Sequence, residues 1–94
     1  LEVLAQRLED LAQRNLWQDI LNEDDNVRLI IHEVLARAGS AEKRQVAQTL
    51  QKIEKIYRDG ASYLESSQNE SATEIKSIQK GLRAVKSYLD NTGF

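Results

Sequence analysis

Leu1, Leu4, Leu8 and Leu11 fall at alternating steps of three and four residues, and Ala5 and Ala12 widen the same stripe. That spacing predicts one amphipathic helix ending near Arg14. Asn15 interrupts it, being better suited to a cap or turn than to a helix interior. The pattern restarts at Leu16. Trp17, Ile20, Leu21, Val27, Ile31, Val34, Leu35 and Ala38 follow helical spacing again. The polar run 22–26 crosses this second segment and puts Asp24 on its inner face, so a frayed, kinked or open-ended turn is expected there. Leu29 and Ile30 lie beside the main stripe and make the apolar face wider than one neighbouring helix needs.

Gly39 and Ser40 mark the clearest boundary, a helix stop followed by an N-cap. A third helix is expected from Ala41. Its seam runs through Val46, Leu50, Ile53, Tyr57, Gly60 and Leu64 in heptad steps, with Ile56 and Tyr63 at the flanks. Gly60 lets a neighbour approach closely. Residues 66–71 carry no apolar side chain and read either as a loop or as exposed turns of one very long helix. Beyond them Ala72, Ile75, Ile78, Leu82, Val85 and Leu89 form another face, with Tyr88 beside it. Gly81 is expected to divide this stretch, and residues 90–93 to end it. The absence of period-2 alternation leaves an all-α, antiparallel bundle of three to four helices, one domain over residues 1–94.

Composition narrows the chemistry more than the fold. With no cysteine in 94 residues, disulfides, thiolate metal sites and cysteine nucleophiles are excluded. Methionine is also absent, position 1 included, so a trimmed chain is expected, without any targeting segment or flanking helix that preceded it. No apolar run approaches the ~20 residues of a membrane span, and no secretory signal opens the chain. Residues 1–38 carry four Arg against eight acids, net −4, and residues 39–94 carry nine Lys or Arg against seven acids, net +2. That division lacks the dense basic patch of a nucleic-acid binder.

His32 is the only histidine. A phosphotransfer histidine is normally followed by a small or apolar residue, then Lys and Gly. Here Glu33, Val34, Leu35 and Ala36 follow, so an ordinary surface histidine is expected. Glu23, Asp24 and Asp25 lack the alternating ligands and turn glycine of a calcium loop and read as a solvated acidic turn. Lys76, Lys80 and Arg83 form a basic stripe, read as a solvated helix face. Trp17 reads as a core anchor, with a partner-binding hot spot as the alternative. Nothing assembles a catalytic constellation, so no enzyme and no cofactor are expected.

The run Leu11-Ala12-Gln13-Arg14-Asn15-Leu16-Trp17-Gln18-Asp19-Ile20-Leu21 resembles the FliT-type flagellar export chaperones, as does residues 82–88 with Tyr88. In that family a first helix ends in a polar turn, a Trp opens the second, a long third follows, and a short final helix carries a Tyr. The resemblance implies a cytoplasmic protein that binds the carboxy-terminal segment of the filament-cap protein and delivers it to the type III export gate and export ATPase complex. It also implies, for some members, binding of the flagellar master transcriptional regulator, and a last helix that regulates the binding groove. The surplus apolar width on the second helix fits a groove for an amphipathic helix. The expected contacting set is Leu29, Ile30, Ile31 and Val34 on the second helix and Ile53, Ile56 and Tyr57 on the third. Tyr88 is expected to face the export machinery, with Gly81 as the hinge of a gating last helix. A monomer or weak dimer is expected, with no nucleic acid and no membrane insertion. The alternative is a self-associating helical module with no export role.

Overall fold

A computed structural model describes residues 1–66 and 72–91, and they form five helices. These are α1 (Glu2–Gln13), α2 (Trp17–Asn22), α3 (Asp24–Arg37), α4 (Ser40–Ser66) and α5 (Ala72–Asp90). The all-α bundle is as the periodicity predicts: four long helices and one short corner helix. The second predicted helix is divided at Glu23, inside the polar run. The choice between loop and long helix for residues 66–71 falls mostly outside the described residues, though α4 ends at Ser66.

The α1–α2 turn follows from local chemistry. Asn15 takes a positive φ of 57°, a conformation asparagine tolerates better than most residues. The Leu16 N–H then donates to the Leu11 carbonyl at 2.9 Å and the Asn15 N–H to the Ala12 carbonyl at 3.0 Å. This is the paired bonding of a Schellman stop. It delivers Trp17 directly into the first turn of α2.

Four contacts fix the directions. Glu2 meets Thr49, and Trp17 packs against Gly60, so α1 and α4 run the same way. Tyr57 and Gly60 of α4 face Gly81 and Ile78 of α5 in reversed order, so that pair is antiparallel. The short link through Ala38 and Gly39 folds α3 back against α4. The long axis is 44 Å, close to the ~40 Å expected of the 27-residue α4 at 1.5 Å per residue.

The core lies between α4 and the other helices. Leu8, Ile20, Val27, Ile31, Leu50, Ile53, Tyr57, Ile78 and Val85 are fully buried. Inside it sits one polar cluster. The Tyr57 hydroxyl donates to Asp24 Oδ1 at 2.8 Å, and Arg28 Nη2 lies 2.5 Å from Asp24 Oδ2. The acidic turn is therefore not simply solvated. Asp24 faces inward as its register predicts, and Glu23 pairs with Arg7. Burial first, and then the Asp24 carboxylate, push the Tyr57 hydroxyl far above its usual pKa.

Tyr57→Phe should cost about 1.5–3 kcal/mol, the usual worth of a hydrogen bond to a charged group. A pH effect should accompany it. The folded protein keeps its Tyr57 proton where the unfolded chain loses it, near pH 10.0. Stability from this group is therefore full below that pH and falls above it, by about 1.4 kcal/mol per pH unit. Denaturation at several alkaline pH values should show a shallower decline in the Phe variant than in the parent.

Candidate binding cleft around Trp17

Trp17 is buried, with 6% of its surface exposed. It reaches that depth because Gly60 has no side chain. An ideal Cβ on Gly60 would lie 2.6 Å from Trp17 Cζ3 and 2.7 Å from Cε3. The close approach expected at Gly60 is thus made by the indole. Tyr63, one turn further along α4, stacks obliquely on it at a ring-centroid distance of 6.0 Å and an angle of 36°. The Trp17 Nε1–H is buried without an acceptor.

The same indole walls two openings. A cleft of about 470 Å³ lies between α1 and α4, lined by Glu9, Ala12, Gln13, Trp17, Lys52, Lys55, Ile56 and Asp59. A second, of about 330 Å³, is lined by Asn15, Leu16, Trp17, Gln18, Asp19, Leu64 and Glu74. Leu16 and Tyr63, two of the exposed large apolar side chains, border the same indole in sequence or space. An aromatic anchor with an apolar margin and a ring of charge is the usual composition of a protein-binding hot spot. The core and hot-spot readings of Trp17 are therefore compatible here: the ring is packed on one side and walls open space on another.

At its lower end the cleft is tied by Thr49 and Lys52. The Thr49 hydroxyl lies 2.5 Å from Glu2 Oε1, and Lys52 Nζ lies 3.6 Å from Glu2 Oε2. The Thr49 hydroxyl first, and then Lys52, hold the Glu2 carboxyl below its usual pKa.

The groove expected between the second and third helices is not open. Ile31, Ile53 and Tyr57 are fully buried in the core, because α5 and α1 both cover α4 beside α3. They are packing residues in this structure, not surface contacts. Ile30, Val34, Ile56 and Tyr88 are half-buried. Leu29 is 56% exposed. It stands two residues from both Val27 and Ile31, so at about 100° per residue it points away from the core. Of the expected set, only Ile56 lines the cleft around Trp17.

Gly81 is not a hinge. The helix α5 runs unbroken through it. Its missing side chain makes room for Tyr57 Cε2 and Asp24 Oδ1, which would lie 2.5 and 2.9 Å from a Cβ there. Residues 82–88 accordingly belong to a 19-residue helix, not to a short final one. Since Ile78, Gly81 and Val85 are buried, this helix is part of the core.

His32 is exposed on α3, as expected of a surface histidine. Among the described residues no group of His, Asp or Glu is arranged to hold a metal ion, and no helix is long and apolar enough to cross a membrane. Comparison with protein-family models, with curated proteins and with solved structures gives no match.

Proposed function

We propose that the protein is a helix-binding chaperone of the flagellar type III export class. In this reading it acts in the cytoplasm. It holds the carboxy-terminal helix of the filament-cap protein and hands that subunit to the export gate and export ATPase complex. The flagellar master transcriptional regulator is a second candidate partner. The observation that carries the reading is the cleft between α1 and α4, with an apolar floor of Ala12, Trp17 and Ile56 between charged rims. Such a channel suits an amphipathic helix, whose apolar stripe enters while its polar flanks stay wet. The Trp at the start of α2 and the long α4 match the layout of the resembling family. The continuous α5 departs from it.

Titration calorimetry of the purified protein with the carboxy-terminal segment of a filament-cap protein tests this reading. A one-to-one complex with a protein that is monomeric by light scattering is the expected result. A stable dimer with no heat of binding would favour the self-associating module instead.

A further inference from the structure

We infer that the Trp17 cleft is polar along its length, and that it takes a partner helix with an acidic first turn and a basic last turn, lying in the direction of α4. This rests on the reading of the cleft as a helix-binding site and adds the chemistry and orientation of the occupant.

The charges on the α4 wall change sign along the cleft. Because α1 and α4 run the same way with Glu2 at Thr49, Glu9 stands seven residues further on, level with Ile56. Lys52 and Lys55 therefore line the lower part of the α4 wall and Asp59 its upper end, while Glu9 stands across the middle of the cleft from Lys55. All four are exposed. Lys52 is shared with Glu2, whereas no hydrogen bond or ion pair engages Lys55, Glu9 or Asp59 among the described residues. Along the α4 wall the lower end is thus short of an anion at Lys55 and the upper end of a cation at Asp59, beside the apolar floor.

A helix meets that demand in one orientation more readily than in the other. Its macrodipole favours acidic residues in the first turn and basic residues in the last. With the acidic turn beside Lys52 and Lys55, the basic turn falls beside Asp59. The opposite orientation sets like charges against each other at both ends. From Lys52 to Asp59 the wall covers about two helical turns, so one apolar anchor per turn reaches the floor at Ile56 and Trp17.

The test uses two stapled helical peptides with the same apolar stripe. One has Glu in its first turn and Lys in its last; the other has these exchanged. Trp17, the only tryptophan, reports occupancy by its emission. The intact protein should prefer the first peptide by about tenfold, a difference within reach of two exposed charge contacts turned from attraction to repulsion. The double variant Lys55→Glu, Asp59→Lys should shift that preference toward the second peptide. Lys80→Glu, on the exposed face of α5, should leave it unchanged. Equal affinity for both peptides, or saturation with no change in Trp17 emission, overturns the inference. A filament-cap segment that binds without moving Trp17 also overturns it, while leaving the chaperone reading intact. Polarity-selective binding of the designed peptide without affinity for that segment supports the site and counts against the export role.

Discussion

Trp17→Ala should destabilise the protein by about 2–4 kcal/mol. Large-to-small changes of buried aromatic residues cost about 3–5 kcal/mol, through lost transfer energy and the cavity left behind. Here the cavity would be large. Gly60 has no side chain to fill it, and Tyr63 loses its ring partner. One term opposes this. The indole N–H is buried without an acceptor, at a cost of about 1–3 kcal/mol that the substitution removes. Even the lower figure matters in a domain with roughly 5–15 kcal/mol in total. Urea denaturation followed by circular dichroism gives the number. Trp17→Phe separates the two terms, since it keeps most of the ring volume and removes the orphan donor. It should cost less than half as much as the alanine variant.

Gly81→Ala should cost about as much, although alanine is the better helix former by about 1 kcal/mol. The added methyl would fall 2.5 Å from one ring carbon of Tyr57 and 2.9 Å from Asp24 Oδ1. Neither neighbour can yield freely. The Tyr57 ring is fully buried, and its hydroxyl holds Asp24 at 2.8 Å. Overpacking costs about 1–3 kcal/mol, and loss of the Tyr57–Asp24 bond about 1.5–3 kcal/mol, so the net loss is about 1.5–5 kcal/mol after the helix gain of about 1 kcal/mol. A hinge glycine would behave differently: alanine there would stiffen α5 without lowering the unfolding midpoint. The double variant with Tyr57→Phe should show less than the sum of the two single losses, because both act on the same hydrogen bond.

The parts of the fold legible in the sequence are those set by local chemistry. Asn15 before Leu16 marks a helix stop whose bonds involve only residues 11–16. Gly39–Ser40 marks the turn into α4, and the seam from Val46 to Leu64 is buried along its length. What was not legible depends on partners distant in sequence. Asp24 faces inward by register and has Arg28 one turn along as a local partner, but its second partner, Tyr57, lies 33 residues away and is brought beside it only by the fold. Gly81 suggests a hinge when read within its own helix, and a packing contact only once Tyr57 is beside it. Ile31, Ile53 and Tyr57 suggest an open groove because periodicity gives the width of an apolar face, not how many helices cover it. The cleft was hidden for the converse reason. Its rims are Glu9, Gln13, Lys52, Lys55 and Asp59, ordinary polar positions brought together by the parallel register of α1 and α4.

The central claim is that a client helix binds in the cleft that Trp17 walls. The most direct measurement is the indole Nε1–H resonance of the ¹⁵N-labelled protein during titration with the carboxy-terminal segment of a filament-cap protein. One tryptophan gives one indole signal. The account predicts that this signal moves to saturation at one equivalent, together with the amides of Ala12 and Ile56, while those of Leu29 on the outer face of α3 stay in place. Saturable binding that shifts Leu29 and its neighbours on α3, with the Trp17 signal unmoved, would contradict it.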